Sequence, residues 1–247
     1  DEVTVLAMGL SGKNPWSPLC LDALNTYFRR PNIPIGMVQG PAFDKKSRYA
    51  EAIAKEFPHS LKSAADAPDA ALLYRDVLAS EPDNSVVMVS VGQLVRRKVK
   101  TWVCMGGKIP AGREANLVHD GAAAAHAIRN WPTPIVFSGY EIGKDIMTGA
   151  NLKKVPETSP VRRAYQLFNG LKNRESWDQT ALLYAVRGLD GGLDDYWDLE
   201  TKGYLHVDDD GFNEWRDSPN KFHSYLVRKM DPKKIAAAIE ALMLQQP

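Results

Sequence analysis

Glu114 and Asn116 stand two residues apart, shortly after a strand-like run that ends in Met105-Gly106-Gly107. In an extended segment such residues share a face, so a carboxylate and an amide would point the same way. That pair offers a polyol such as ribose both acceptors and donors. Paired glycines at a strand end let a backbone come close to a ligand. Open α/β sheets bind ligands outside the carboxyl ends of their strands. The same residues also make a solvated loop of turn formers, and spacing alone favours that plainer reading.

Two further residues lie where a ligand contact or a metal would need them. Asn14, in Ser11-Gly12-Lys13-Asn14-Pro15, follows the first apolar run and is either a strand-end contact or a turn asparagine before a helix. Asp178, in Ser176-Trp177-Asp178-Gln179-Thr180, precedes an apolar helix. It suits a first-turn carboxylate facing the positive end of the helix, or a ligand to a hard cation such as calcium, which takes carboxylate and carbonyl oxygens. Asp208-Asp209-Asp210-Gly211 lacks the alternate spacing of a calcium loop and reads as a turn. Arg96-Arg97-Lys98 reads as a solvated stretch. The histidines at 59, 119, 126, 206 and 223 have no metal-ligand spacing. The G-x-S-x-G, P-loop and G-x-G-x-x-G patterns are absent.

The elements that must position these residues alternate between strand and helix. Val3 to Met8 reads as a buried strand. Ser17-Pro18 opens a helix to about Phe28 with Leu21, Leu24 and Phe28 on one face, and Ile35 to Val38 is a short strand. Helices are predicted over Tyr49 to Phe57 and Asp69 to Ser80. Ser85 to Val91 has the nearly continuous apolar character of a strand buried on both faces. Thr101 to Met105 is a strand, Gly121 to Asn130 a helix and Ile135 to Phe137 a strand. Ser159-Pro160 opens a helix, Trp177 to Val186 forms another, and Gly188 to Pro219 is irregular or a hairpin region. Asp231-Pro232 opens a last helix with Ile235, Ile239 and Leu242 facing inward. The class is α/β, a Rossmann-like open and mainly parallel sheet with helices on both faces. No repeat or low-complexity linker divides the chain, so one domain over 1–247 is expected.

The composition bounds the partners. The 247 residues are 44% hydrophobic and 25% charged, with a formal net charge of +1, which points away from nucleic acid and anionic membranes. Cys20 and Cys104 sit among apolar neighbours and read as buried thiols rather than a disulfide framework. No apolar run has transmembrane length. No targeting segment is read, and a cytoplasmic location is expected ahead of an exported one.

Several runs together resemble the inosine–uridine nucleoside hydrolase family, in a bacterial branch. They are Asn14-Pro15, Leu21 to Tyr27, Arg30-Pro31-Asn32-Ile33-Pro34-Ile35-Gly36, Cys104-Met105-Gly106-Gly107, Glu114-x-Asn116, Trp131 to Gly139 and Ser176 to Thr180. The resemblance implies a ribonucleoside substrate and hydrolysis of its N-glycosidic bond. It also implies one Ca2+ at the carboxyl edge of the sheet and a water attacking the anomeric carbon. It makes Asp178 a calcium ligand and places Asn14, Met105, Glu114 and Asn116 around the ribose. A homo-oligomer is among the assemblies it allows.

Two departures qualify that expectation. The family opens with a strand and an aspartate cluster, D-T-D-x-G-x-D-D, which supplies the general base and most acidic metal ligands. That cluster would precede Asp1, so the catalytic aspartate is not identified in these residues. A Thr-Asn turn and a helix also belong near Gln93-Leu94. There the strands at 85–91 and 101–105 are joined by only Gly92 to Lys100, shorter than a parallel crossover requires. Either the two strands are antiparallel or, with the parallel pairing the resemblance implies, a strained link, a gap or a local rearrangement is expected between them. Weak calcium binding and poor turnover are expected of the 247 residues as they stand, and a non-catalytic remnant or sugar-binding protein is the alternative. Trp177 occupies a position where several family members carry a histidine near the base.

Overall fold

The computed structural model describes residues 2–39, 46–90, 99–218 and 222–247. In chain order they form β1 (Met8–Leu10), α1 (Ser17–Tyr27), β2 (Ile35–Met37), α2 (Ala50–Glu56), α3 (Ala70–Ser80), β3 (Val86–Ser90), β4 (Val99–Met105), β5 (Ala111–Arg113), α4 (Ala115–Val118), α5 (Gly121–Asn130), β6 (Ile135–Ser138), α6 (Tyr140–Gly143) and β7 (Met147–Thr148). There follow α7 (Pro160–Asn169), β8 (Arg174–Glu175), α8 (Trp177–Arg187), β9 (Trp197–Glu200), β10 (Tyr204–Val207), β11 (Phe212–Arg216), β12 (His223–Arg228) and α9 (Pro232–Met243). They fall into two compact units. One holds Asp1–Ala79, Gly149–Asn173 and Glu240–Pro247; the other holds Ser80–Thr148 and Arg174–Ile239.

In the first unit β1 and β2 pair in parallel, Met8 opposite Ile35 and Leu10 opposite Met37. The opening apolar run is a strand only at its end, because pairing starts where β2 starts; Val3 and Val5 stay exposed. Helix α1 buries Cys20 and Ala23 against Ala50 and Ile53 of α2. Of the predicted face of Leu21, Leu24 and Phe28, Leu24 packs against that cluster, whereas Phe28 is exposed. Apolar residues lie on both sides of the helix, and α2 packs against only one. The carboxylate of Asp22, 1% exposed, accepts hydrogen bonds from Ser60 N–H (2.6 Å), Ser60 Oγ (2.8 Å) and Leu61 N–H (2.8 Å). Burial alone would raise its pKa; those three donors, together with nearby His59, outweigh it and hold the carboxyl below its ordinary range. Arg163 of α7 grips Glu56 of α2 with two parallel bonds of 2.7 and 2.8 Å.

The second unit is built on a five-stranded sheet in the order β3-β4-β6-β12-β9. The first four strands are parallel and β9 runs antiparallel to β12. Alternate residues of β4 face opposite sides, as a pleated strand requires. Trp102 and Cys104 join Ala124, Ala125 and Ile128 of α5 in one core, while Val103 and Met105 join Ala181 of α8 in another. The sheet is thus mainly parallel with a helix packed on each face. Strand β3 is at the edge of this sheet, so Val87 is exposed and the strand is not buried on both faces.

β3 lies parallel to β4, Val87 opposite Thr101 and Ser90 opposite Cys104. The expectation of a strained or rearranged link falls on residues 91–98, outside the described residues, as do Gln93-Leu94 and Arg96-Arg97-Lys98. A second, antiparallel sheet has the order β10-β11-β5. Asp208-Asp209-Asp210-Gly211 turns the β10–β11 hairpin: the Gly211 N–H donates to the Asp208 carbonyl (2.9 Å) and the Asp208 N–H to the Phe212 carbonyl (2.8 Å). In α9, Ile235 and Ile239 are buried, whereas Leu242 is 37% exposed rather than inward-facing. Both cysteines are buried and free, and burial pushes Cys20 up to about 11 and Cys104 up to about 12.

Candidate functional site

Strand β4 ends at Met105, and the loop beyond it is held at every backbone N–H from Gly106 to Ile109. Gly106 donates to the Ser138 carbonyl (3.3 Å), Gly107 to Glu114 Oε2 (3.3 Å), Lys108 to Asn213 Oδ1 (3.0 Å) and Ile109 to Glu141 Oε2 (3.1 Å). The carbonyls of Gly107, Lys108 and Pro110 accept from Tyr140 N–H (2.9 Å), Asn213 Nδ2 (2.8 Å) and Trp215 N–H (2.7 Å). Partners come from β6, α6 and β11 and from the residue that caps α4. A loop so fully paired keeps its shape without a ligand.

Glu114 caps α4. Its oxygens each lie 3.0 Å from the Asn116 N–H, and the side chain is 6% exposed. Burial raises its carboxyl above the usual range, opposed by the amides of Asn116, Gly107 and Leu117 and by nearby His119. Asn116 Nδ2 donates to the Met105 carbonyl (3.2 Å) and lies 2.9 Å from Met105 Sδ. A carbonyl requires a donor, so the amide is oriented with Nδ2 inward and Oδ1 outward. The pair therefore offers acceptors only, rather than both kinds of hydrogen bond. Hydroxyl groups, which donate, match that.

Asp178 lies in the first turn of α8, beside Trp177. Trp177 packs against the Val103–Met105–Ala181 cluster and Thr180 Oγ1 lies 3.4 Å from Ser138 Oγ, which sets the first turn of α8, with Asp178, at the carboxyl ends of β4 and β6. The carboxylate keeps access to water, yet the protein around it raises its pKa, opposed by Arg174. Trp177 Nε1 donates to the Tyr140 carbonyl (3.0 Å), and the two rings stack with centroids 5.5 Å apart and planes 29° apart. α6 reaches α8 so closely that a Cβ on Gly143 would stand 2.5 Å from Trp177 Cα.

Met105, Glu114 and Asn116 are thus joined by hydrogen bonds, and Asp178 stands at the same sheet edge. Asn14 belongs to the other unit, where its Oδ1 accepts from Trp16 N–H (2.9 Å) and its carbonyl from Ser17 N–H (3.1 Å) at the start of α1. Lys108, Tyr140, Glu141 and Asn213 were not read from the sequence. Tyr140 lay within reach of the strand-end rule, two residues past β6. Asn213 had no local signal, because the residue it serves is 105 positions away.

Calcium takes about six to eight oxygen ligands. Among the described residues no three Asp, Glu, His or Cys side chains gather as a metal-holding group. Glu114 already accepts from the Gly107 and Asn116 amides, whose dipoles oppose a cation there while a hydroxyl can still share its oxygens, which leaves Asp178 alone as a cation ligand. The described residues do not fit a calcium shell.

No family model matches the chain and no curated protein matches its sequence. Solved structures match its fold. An inosine-guanosine nucleoside hydrolase aligns with a TM-score of 0.66 at 14% identity, covering 99% of this chain and 92% of that one. The effector protein XOO4466 aligns with a TM-score of 0.58 at 12% identity, over 91% of this chain and 78% of that one. The type III effector XopQ, solved in complex with adenosine diphosphate ribose, aligns with a TM-score of 0.58 at 13% identity, over 91% and 77%. Likeness at such low identity speaks for architecture alone, and the architecture of this chain is that of the nucleoside hydrolase fold.

Proposed function

We propose that the chain binds ribonucleosides at the carboxyl ends of β4 and β6 and acts in hydrolysis of their N-glycosidic bond. The observation that carries this is the acceptor pair Glu114–Asn116, fixed by the Met105 carbonyl and the Gly107 amide. Two acceptors locked in place before a ligand arrives bind vicinal hydroxyls at little ordering cost. The Tyr140–Trp177 stack beside them supplies an aromatic surface for a planar base. Cleavage replaces the C1′–N bond with a bond from C1′ to a water oxygen. The base leaves with the bonding pair, the proton the water loses ends on the nitrogen of the departing base, and the sugar passes through an oxocarbenium-like state. Acceptors on the ribose hydroxyls stabilise that developing positive charge.

Binding in this reading rests on the protein's own acceptors. Calcium is held weakly in this reading, because among the described residues a lone carboxylate leaves most of the shell to water. Binding without turnover is the second reading, favoured by the lack of a metal-holding group among the described residues. Titration calorimetry with inosine and uridine, paired with a reducing-sugar assay with and without calcium, separates the two. Binding with ribose release supports hydrolysis, and binding alone supports the second reading. Failure of both nucleosides to bind at millimolar concentration overturns the proposal.

A further inference from the structure

The clamped loop after β4 carries one exposed cation. The Lys108 backbone is gripped on both sides by the buried Asn213 amide. The Lys108 stem lies across Gly112, where a Cβ would come within 2.6 Å of Lys108 Cδ; Gly112 also has φ +151°, which side chains rarely adopt. The ammonium is set over the Tyr140 ring, 5.9 Å from its centroid, and Tyr140 stacks on Trp177. Among the described residues no carboxylate pairs with Lys108. Glu141, next to Tyr140, gives an oxygen to the Ile109 amide instead. Both stem and backbone are held, so much of the entropy a lysine loses on binding an anion is already spent.

We infer that Lys108 is an anion subsite beside the ribose acceptors, and that the ligand is a phosphorylated ribosyl compound of the nucleotide or ADP-ribose class rather than a plain nucleoside. The inference rests on the ribose-binding reading above. Lys108 is three residues past Met105, so their Cα atoms are at most about 11 Å apart. A phosphoester on a ribose whose hydroxyls meet Glu114 and Asn116 lies within that span plus the lysine stem. A hydroxyl-only ligand leaves the cation unused.

The experiment titrates the 247-residue protein with adenosine, AMP and ADP-ribose at low and high salt, using calorimetry. It compares the parent with K108Q, with the charge-keeping K108R, and with K233Q as a control for net charge at an exposed lysine of α9. A charge-assisted phosphate contact is worth about tenfold or more in affinity. The expected result is that AMP and ADP-ribose bind about tenfold or more tightly than adenosine. That preference should shrink with salt, vanish in K108Q and persist in K108R and K233Q. Adenosine affinity should be the same in all four proteins. Adenosine binding with no gain from the phosphate overturns this inference and leaves the nucleoside reading standing, as does a phosphate preference that survives in K108Q. Failure of all three ligands to bind overturns both.

Discussion

Asn213 is the test of whether the loop after β4 owes its shape to residues far away in sequence. The side chain is fully buried and meets the Lys108 N–H at 3.0 Å and the Lys108 carbonyl at 2.8 Å. Asn213→Ala removes both partners at once and leaves a donor and an acceptor in a partly buried setting. Each orphaned group costs about 1 kcal/mol where water can reach it and about 3 where it cannot. Lys108 is itself exposed, so its peptide recovers some hydration, and a total near 2–3 kcal/mol is expected. For a chain of this size about 1 kcal/mol moves Tm by about 2–4 °C, which predicts a fall of roughly 4–12 °C. Asn213→Asp keeps the shape but sets an oxygen against the Lys108 carbonyl, and it should cost at least as much at neutral pH. In acid the introduced carboxyl takes a proton and can donate again, so the deficit should narrow as pH falls. Scanning calorimetry gives the stability. Hydrogen exchange of the Lys108 amide, with a helical amide such as that of Ala125 as reference, localises it. A Tm within about 1 °C of the parent, with the Lys108 amide protected as before, would refute the clamp.

Three further outcomes follow from the geometry. The Asp22 carboxyl is held below its ordinary range, so its contribution is present above its unfolded value near 3.9 and lost as pH falls through the folded one. The parent's Tm should drop as pH falls below about 4, and D22N, whose single oxygen can still accept from Ser60 and Leu61, should show a shallower slope. Glu114 is shifted the other way by burial, so ionising it costs stability as pH rises through its folded pKa. E114Q should therefore keep or raise Tm at pH 7 while weakening inosine binding about tenfold, measured by calorimetry. Gly143→Ala places a Cβ 2.5 Å from Trp177 Cα. It should cost about 1–3 kcal/mol by overpacking and change the tryptophan emission; an unchanged melt would show that α6 and α8 part without strain.

What could be read from residues alone depended on whether the cause was local. Helix α5 has the predicted bounds, because Asp120 caps it, accepting from Ala123 N–H, and Trp131-Pro132 follows it. The acidic turn at 208–211 was legible for the same reason: its hydrogen bonds close within five residues. The inward face of α1 was so only at Leu24, because it depends on where α2 packs. The exposure of Val87 was not, since it depends on β3 being an edge. In the site, the Glu114–Asn116 pair stood out by spacing, but the extended segment assumed for it is absent: Glu114 caps α4 and Asn116 lies in its first turn. What the pair offers did not stand out, since the Met105 carbonyl decides which end of the amide points outward. Lys108, Tyr140 and Asn213 acquire meaning only when β6 and β11 are folded beside the β4 loop.

The division of labour in that loop bears on how the site can change over generations. Its backbone is fixed by Ser138, Glu114, Asn213, Glu141 and Trp215, whereas the exposed side chains at 108 and 140 contribute none of those side-chain bonds. Mutation at 108 therefore alters what the edge recognises without reshaping the frame. At 140 only the ring is replaceable, since its amide serves the Gly107 carbonyl whatever the residue. A library randomised at these two positions should yield mostly folded proteins with different ligand preferences, while one randomised at 213 should yield mostly unstable ones. Selection can retune recognition here by single steps, each starting from an intact scaffold.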